Sequence, residues 1–348
     1  MERGPGGPVP RHPLPGRPAR PHDHRMKGAS PMTDATLPVI DVSGLNSPDL
    51  DTRKAVAAEI GHACDTYGFF YVSGHGIPEE DILATVEAAR SFFTQPLEKR
   101  MEIKSGATNR GYTALKESEH EDGKPDVNEG FELGFPVPPE DPDFDGKNPV
   151  RAPNRWPDLE GFREPVEKHY FATFELGMTI LRGFALHFGL PEDFFTKTFK
   201  RPVADMRLAH YPPQTGEGVE FGTFDHTDHG VITILWQDHN GGLQVQSPEG
   251  DWLPAAPIPG TFVVNIGDLM SHWTNKRFRS TLHRVINRPG VDRYSIPFFF
   301  NPDFDTHVDP SDIPGIAADA EVLEPVTSGP YLIGRFSDYR HSWKEEDA

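Results

Sequence analysis

The sequence has little of several features that mark large classes of proteins. Its 348 residues include a single cysteine, Cys64, which excludes an internal disulfide framework, a cysteine-ligated zinc cluster and an iron–sulfur centre. No apolar run approaches the roughly 20 residues that span a bilayer. No glycine-rich phosphate loop follows a strand-like segment, so the sequence also lacks the usual signatures of nucleotide-binding folds.

Positive charge is scarce as well. Lys and Arg number 34 against 53 Asp and Glu, which gives a formal net charge of −19. A nucleic-acid backbone requires a basic protein face, so we expect no nucleic-acid partner. Hydrophobic residues make up 36% of the chain and include 24 Phe, which is enough for a large core. We therefore expect a soluble, acidic, cytoplasmic monomer that does not bind membranes.

The first 31 residues differ from the rest in composition. They hold 8 Pro and 5 Gly, and their basic residues outnumber the acidic ones. Such a segment buries too little apolar surface to offset the entropy of ordering it, so we expect a disordered leader over residues 1–36. Met26 and Met32 are both alternative starts, and a start at either would make the segment before it an untranslated leader.

The residue pattern of the remaining chain changes from helix-like to strand-like near its middle. Apolar residues recur at helical spacing over 52–67, 78–93 and 163–188, a short helix is expected after Pro191, and residues 104–160 have the composition of long loops. From Met206 onward, strand-like segments alternate with turn residues at 207–211, 231–236, 243–246, 261–266, 281–287 and 294–300. This spacing predicts an α+β, mainly β fold with a sandwich or barrel of strands.

Two histidines and one aspartate form the first candidate site. His226 and Asp228 are two residues apart, so on a strand or at its end they point to the same side. His283 lies in a later strand-like segment. Such a triad occupies one face of an octahedral iron(II) ion and leaves three positions open. Zinc could use the same three ligands with a water as the fourth, and a lone His-X-Asp is more often a surface turn.

The second candidate site lies ten residues beyond His283. Arg293 and Ser295 are again two residues apart in a strand-like segment, so a guanidinium and a hydroxyl share one face. The neighbouring residues are too apolar to tolerate an unpaired charge, and the pair is suited to binding a carboxylate. The alternative for Arg293 is a structural salt bridge.

At this point the sequence resembles a known family. Residues 206–302 are similar to the catalytic half of the iron(II)/2-oxoglutarate-dependent dioxygenases of the isopenicillin N synthase-like superfamily. The matching stretches are 206–213, 226–238, 241–245, 265–268, 274–285 and 293–296, and the stretches 37–41 and 67–77 resemble the family's helical N-terminal region.

The resemblance implies a distorted double-stranded β-helix, or jelly roll, with flanking helices. It implies an N-terminal region over 37–200, a jelly-roll catalytic domain over 201–306 and a C-terminal segment over 307–348 that closes the substrate pocket. It also implies that His226, Asp228 and His283 are iron(II) ligands and catalytic residues. Arg293, Ser295 and Tyr211 would bind the distal carboxylate of the cosubstrate 2-oxoglutarate.

The implied reaction uses dioxygen as the oxidant. 2-Oxoglutarate is decarboxylated to succinate and CO2 while a small molecule, such as an amino acid or a secondary metabolite, is hydroxylated, desaturated or cyclised. One position departs from the family pattern. The family often has an asparagine that contacts the metal-binding end of the cosubstrate where this chain has Ala209.

The substrate-binding residues are the least defined part of the sequence. The candidates are one polar pair in the family's Arg-Gly-Tyr loop and five apolar side chains that could form a wall: Arg110, Tyr112, Phe131, Phe224, Leu243, Phe299 and Phe336. Arg110 could face a substrate carboxylate. The alternatives are a solvated arginine and aromatic residues that fill the core. Asp268 either orients a neighbouring segment of the site or is a turn aspartate after Gly267.

Two other functions stay open from the residues alone. The first is an oxidase of the isopenicillin N synthase type, which needs no 2-oxoglutarate because it takes all four electrons from its substrate. Tyr211 together with Arg293 and Ser295 favours the 2-oxoglutarate-dependent reaction. The second is a non-catalytic jelly-roll protein that retains a metal site, which the open coordination positions of the triad disfavour.

Overall fold

The computed structural model describes residues 36–339, except 107, 118–124, 139, 142–147, 149, 215–220, 288–289 and 316–320. The proline- and glycine-rich leader lies outside the described residues, so its predicted disorder stays a prediction. Among the described residues, no helix combines the length and the apolar character needed to cross a lipid bilayer.

The helices of the described chain lie mainly in its first half. Asp49 caps the first helix by accepting a hydrogen bond from the Thr52 backbone N–H at 2.9 Å, and Pro78 precedes three acidic residues in the first turn of the second. Acidic side chains there are favoured by the helix dipole. The helices are α1 (Leu50–Thr66), α2 (Glu79–Phe93), α3 (Leu97–Met101), α4 (Arg163–His187), α5 (Asp268–Trp273) and α6 (Ser328–Tyr339).

Fourteen strands are assigned in the described part of the chain. They are β1 (Val39–Asp41), β2 (Phe69–Ser73), β3 (Gly111–Thr113), β4 (Glu129–Gly134), β5 (Pro202–Tyr211), β6 (Phe221–His226), β7 (Ile232–Gln237), β8 (Leu243–Gln246), β9 (Trp252–Pro254), β10 (Phe262–Ile266), β11 (His283–Ile286), β12 (Arg293–Asp303), β13 (His307–Val308) and β14 (Val326–Thr327).

These strands form a large sheet, a smaller sheet and a short ribbon. The large sheet has the order β1-β2-β10-β7-β12-β5-β4-β3, the smaller sheet has the order β6-β11-β8-β9, and β13 pairs with β14. All neighbouring strands are antiparallel except β1 and β2. The two larger sheets form the distorted jelly-roll core of a mainly β, α+β protein, as the sequence predicted.

The two faces of the large sheet have different neighbours, because successive residues of a strand point to opposite sides. On β5, Ala204, Met206 and Leu208 belong to the apolar core that the sheet shares with the helices. Helix α4 packs on α1, on α2 and on β12, and its Tyr170 donates a hydrogen bond to the Ala204 carbonyl at 2.8 Å. Ala209 and Tyr211 face the other way, toward the smaller sheet.

The structure differs from the sequence prediction in two places. Residues 104–160 were expected to be long loops, yet they contain β3 and β4, and β4 pairs with β5 along its whole length. Strand β4 is buried at every position although it contains Glu129 and Glu132, because arginines neutralise both carboxylates. The helix expected after Pro191 is a series of turns that ends in a 3-10 turn at Thr196–Thr198.

The proposed segment boundaries do not coincide with sheet boundaries. Strands β1 to β4 precede residue 200 and nevertheless belong to the same sheet as β5, β7, β10 and β12. The division at residue 200 therefore stays a sequence prediction.

Candidate active site

A cavity of about 300 Å³ is lined by residues of both larger sheets. Strands β5, β7, β10 and β12 supply one wall, and β6, β8 and β11 supply the facing wall. The cavity contains the metal-binding and carboxylate-binding candidates from the sequence. Its volume suits a small organic ligand.

The His-Asp-His triad converges at the edge of the smaller sheet. His226 ends β6, His283 begins β11, and the two residues lie opposite each other in the sheet register. Asp228 follows in the loop after β6. Its Oδ1 atom lies 3.6 Å from Nε2 of His226 and 3.7 Å from Nε2 of His283. The three ligand atoms are close enough together to hold a single metal ion.

Both imidazole rings are oriented by hydrogen bonds on the side away from Asp228. Nδ1 of His226 donates to the Phe224 carbonyl at 2.7 Å, and Nδ1 of His283 donates to the Thr281 carbonyl at 3.1 Å. Because a carbonyl only accepts, each Nδ1 carries the proton and each Nε2 keeps a lone pair. This is the tautomer that a metal ligand requires.

Asp228 is oriented in the same way. The Thr233 hydroxyl and the Asn265 amide both donate to Oδ2, the latter at 2.7 Å, so that Oδ1 faces the histidines. Burial opposes ionisation of Asp228, but electrostatic interactions with His283 and His226 and these hydrogen bonds outweigh it and lower its pKa. Burial and the neighbouring His283 lower the pKa of His226 to about 4. Asp228 is therefore a carboxylate and His226 a neutral imidazole at neutral pH.

Arg293 lies at one end of the cavity, in the first position of β12. It is opposite Tyr211 in the sheet register, and its Cζ atom is 4.6 Å from the centre of the Tyr211 ring. Its Nε donates to the Gly241 carbonyl at 2.6 Å, and its Nη1 donates to the Ser295 hydroxyl at 3.2 Å. These contacts fix the plane of the guanidinium group.

One nitrogen of this guanidinium lacks a partner. Arg293 is 2% exposed, and among the described residues its buried Nη2 atom has no hydrogen-bond acceptor. A buried N–H without an acceptor is energetically costly. A ligand carboxylate would satisfy it and would also balance the charge of the guanidinium. The residues present therefore fit an anionic ligand such as 2-oxoglutarate at this end of the cavity.

The predicted substrate residues divide into two groups. Leu243 and Phe299 line the cavity, whereas the others with described side chains lie away from its wall. Arg110 is 1% exposed and forms an ion pair with Asp205 at 2.9 Å, so its charge is already neutralised inside the protein. Arg110 is therefore not placed to bind a substrate carboxylate, contrary to the sequence prediction.

The three aromatic candidates away from the cavity have structural partners. Tyr112 donates its hydroxyl proton to Glu129. Phe131 packs in the core cluster shared with the helices. Phe224 stacks on Phe221 with ring centres 4.8 Å apart. These contacts account for all three residues, and none is kept as part of the substrate wall. The side chain of Phe336, in α6, lies outside the described residues.

Sequence reasoning missed several residues that shape the cavity. Thr233 and Asn265 orient Asp228 from two different strands, and the Gly241 carbonyl orients Arg293. Arg207 and Asn109 also line the cavity. A signal for Thr233 was present, because it is a polar residue within an otherwise apolar strand, whereas the contribution of Gly241 is a backbone atom that side-chain patterns do not reveal.

Asp268 connects the metal-binding loop to the C-terminal helix. Its carboxylate accepts hydrogen bonds from Ser280 at 2.7 Å, from Arg335 of α6 at 2.6 Å and from Thr227 at 3.2 Å. Burial opposes its ionisation, but hydrogen bonds from His229 and Ser280 and the charge of Arg335 lower its pKa to about 2. The orienting alternative for Asp268 therefore agrees with the structure better than a simple turn aspartate.

Comparison with known protein families agrees with this geometry. Residues 37–159 match the model described as non-haem dioxygenase in morphine synthesis N-terminal, and residues 202–302 match the 2OG-Fe(II) oxygenase superfamily. The second match contains the triad, Arg293 and Ser295.

Individual relatives give the same result. The chain is 38% identical over 285 residues to the 2-oxoglutarate-Fe(II) type oxidoreductase hxnY of Emericella nidulans, covering 78% of this chain and 82% of the relative. It is 36% identical to homoarginine-6-hydroxylase 2-ODD-C23.1 of Arabidopsis thaliana, covering 86% and 96%. The crystal structure of a full-length Neurospora crassa protein in complex with alpha-KG and thymine superposes with a TM-score of 0.77 at 31% identity, covering 86% and 96%. The chain therefore belongs to the 2-oxoglutarate- and iron(II)-dependent oxygenases.

Proposed function

We propose that His226, Asp228 and His283 bind iron(II) in this oxygenase. The observation that carries this assignment is the orientation of the three ligand atoms, with both Nε2 lone pairs and Asp228 Oδ1 directed at one point. Two imidazoles and one carboxylate on one side of the ion suit iron(II) with open positions. The bound iron and 2-oxoglutarate supply the oxidation chemistry, which ends in an oxidised substrate, succinate and CO2.

We further propose that Arg293, Ser295 and Tyr211 bind the distal carboxylate of 2-oxoglutarate. Arg293 contributes the charge and the unpartnered Nη2. Ser295 lies beside Nη1 and contributes a hydroxyl, and Tyr211 supports the guanidinium with its ring. The Tyr211 hydroxyl lies 3.5 Å from the Thr223 hydroxyl. The always-charged, planar guanidinium suits a carboxylate better than a lysine would.

Apolar side chains line the cavity beside these two groups. Leu235, Leu243 and Val285 are among them, and they pack in one apolar cluster with Tyr211. Apolar walls exclude water and strengthen the electrostatic interactions of the bound cosubstrate. The protein thus positions two charged groups, at the metal and at Arg293, with a dry space between them.

The substrate under this proposal is a small molecule, either an amino acid or a secondary metabolite. Two observations support this class, namely the size of the cavity and the names of the relatives, one of which is a homoarginine hydroxylase. The Neurospora crassa relative was crystallised with thymine. Hydroxylation, desaturation and cyclisation all begin with removal of a hydrogen atom, so the described residues do not separate them. The cytoplasmic location and the monomeric state stay predictions.

Variants in which a proposed metal ligand is replaced test the ligand assignment directly. We expect His283→Ala to lower iron(II) affinity at least tenfold, because the ion would keep only two protein ligands. Anaerobic equilibrium dialysis with iron(II) gives the bound metal per chain, and 2-oxoglutarate-dependent succinate formation gives the activity. His239→Ala is the matched control, because His239 is exposed on a loop. Full iron occupancy and full turnover in His283→Ala would remove this residue from the triad.

A further inference from the structure

The inner face of the large sheet forms one wall of the cavity, and Arg207 lies on this wall. On this face, Ser295 of β12 is opposite Ala209 of β5, and Phe299 is opposite Asp205. Arg207 lies on β5 midway between these two levels and lines the cavity. Because a strand rises about 3.3 Å per residue, Arg207 is about 7 Å along the sheet from the level of Ser295. The proposed 2-oxoglutarate site lies over β7 and β12, because Thr233 of β7 holds Asp228 and Arg293 lies on β12. Arg207 lies on β5, on the other side of β12, so the space near it is beside the cosubstrate site.

Arg207 is held in place by three residues of the neighbouring chain segment. It forms an ion pair with Glu132 of β4, and its Nη2 donates to Asn128 Oδ1 at 2.7 Å. The guanidinium lies over Gly130, where an added Cβ atom would be 2.5 Å from Arg207 Cζ. The Thr113 hydroxyl also donates to Glu132, at 2.9 Å. The side chain is thus fixed at the cavity wall with its charge balanced by Glu132.

The other charges near Arg207 make this part of the cavity unsuitable for an anionic ligand. Asp205 also lines the cavity, two residues from Arg207 along β5, and it is paired with Arg110. A substrate carboxylate near Arg207 would therefore face the carboxylates of Glu132 and Asp205. A substrate cation would instead meet the guanidinium of Arg207. A ligand without net charge avoids both repulsions.

An unsatisfied acceptor specifies a second feature of the ligand. Asn109 lines the cavity, and its Oδ1 is buried without a hydrogen-bond partner among the described residues. A buried carbonyl oxygen without a donor is costly, and a ligand N–H group would satisfy it. Phe299, which is opposite Asp205 in the sheet register, and Leu332 also line the cavity and provide apolar contacts.

We infer that Arg207 and Asn109 determine the substrate specificity of this oxygenase. They select an uncharged small molecule with a carbonyl oxygen that accepts from Arg207 and an N–H group that donates to Asn109, as in a cyclic amide or imide. Glu132 enforces this selection by cancelling the charge of Arg207. The inference rests on the proposed function, because it assigns the part of the cavity between the triad and Arg293 to 2-oxoglutarate.

Equilibrium binding of three small probes tests this inference. The probes are thymine, an uncharged cyclic imide; orotate, which has a related ring with a carboxylate; and homoarginine, which carries a cationic side chain. Each is titrated anaerobically by calorimetry into protein already loaded with iron(II) and 2-oxoglutarate. We expect thymine to bind at least tenfold more tightly than orotate or homoarginine. Tighter binding of either charged probe, or no binding of thymine, would overturn the inference.

Three variants connect the preference to the named residues. We expect Asn109→Ala to weaken thymine binding about fivefold, because one hydrogen bond is lost. Glu132→Gln keeps the size of the side chain and one acceptor oxygen for Arg207 but removes the negative charge that compensates Arg207. It should improve orotate binding relative to thymine at least tenfold, a gain that a purely structural role of Glu132 would not produce. Asn46→Ala, on an exposed turn, is the control and should bind all three probes like the wild type.

The outcomes also separate this inference from the proposed function. The titration of 2-oxoglutarate into the iron(II)-loaded protein is measured first, without any probe. If 2-oxoglutarate does not bind, the proposed function fails. If it binds normally while Asn109→Ala and Glu132→Gln leave the probe preferences unchanged, the proposed function stands and the specificity inference is wrong.

Discussion

Replacing Arg293 with lysine separates the charge of this residue from its shape. Lysine keeps the positive charge but offers a point charge on a flexible stem instead of a planar fork. In the structure the fork is fixed by Nε at the Gly241 carbonyl and by Nη1 at Ser295, with Nη2 available for a ligand. The substitution therefore removes the geometry that matches a carboxylate while leaving the net charge of the cavity unchanged.

The magnitude follows from the number of hydrogen bonds lost. A hydrogen bond to a charged group contributes about 1.5–3 kcal/mol, and lysine at position 293 loses at least one of the two that a fork can make. Since 1.4 kcal/mol corresponds to a tenfold change in affinity, we expect the Kd for 2-oxoglutarate to rise about 10- to 100-fold. Ser295→Ala should act in the same direction with a smaller effect, about 0.5–3 kcal/mol for one bond.

The assay is an anaerobic titration of 2-oxoglutarate into the iron(II)-loaded protein, followed through the charge-transfer absorption of the iron–oxoglutarate chelate. Arg284→Lys is a matched control, because Arg284 lies on β11 and stacks on Trp252, with Cζ 3.9 Å from a ring centre, outside the cavity lining. Iron(II) binding, measured separately, should be nearly unchanged in both variants. An unchanged titration for Arg293→Lys, or no absorption band in the wild type, would refute the carboxylate assignment and favour the oxidase reaction that needs no 2-oxoglutarate.

Two further predictions concern the C-terminal helix and a buried ion pair. Arg335→Gln removes the hydrogen bond to Asp268, so we expect hydrogen exchange of the α6 backbone amides to become severalfold faster. The loss of stability should be about 1 kcal/mol or less, because the pair is partly exposed. Unchanged exchange would contradict the proposal that Asp268 holds α6. Burial lowers the pKa of His210, but hydrogen bonds to Glu129 and Asp292 outweigh it and raise this pKa above its ordinary value. Its contribution to stability is therefore complete below about pH 6.5 and lost as the pH rises through the raised value. Denaturant unfolding between pH 5.5 and 9 should show this decline in the wild type and a flatter profile in His210→Phe.

The candidate site could be predicted largely from residue spacing. His226 and Asp228, and likewise Arg293 and Ser295, are two residues apart, and the alternation of side chains along a strand is enough to place each pair together. That His283 joins the first pair depends on strand register, which places it opposite His226. Spacing alone does not give register, and the resemblance to a family of known fold supplied this part.

Other features depend on tertiary contacts that spacing does not encode. Arg110 was a candidate for a substrate carboxylate, but Asp205, almost 100 residues later, neutralises it inside the protein. Strand β4 was read as loop because its sequence contains two glutamates and two glycines. Gly134 faces Arg110, since a Cβ atom there would be 1.9 Å from the Nη2 atom of Arg110. An arginine from a distant segment thus explains the composition of a buried strand.

Ala209, the residue that departs from the family pattern, lies in the middle of the large sheet. Ala209 lies between Ser295 on β12 and Gly130 on β4, so this row across the sheet carries only small side chains. Alanine offers no side-chain hydrogen bond to the metal-binding end of 2-oxoglutarate, where the family often has an asparagine. Under the proposed assignment, the cosubstrate is then held by the iron at one end and chiefly by Arg293 at the other. The affinity for 2-oxoglutarate should therefore depend more strongly on Arg293 here than in relatives that keep the asparagine.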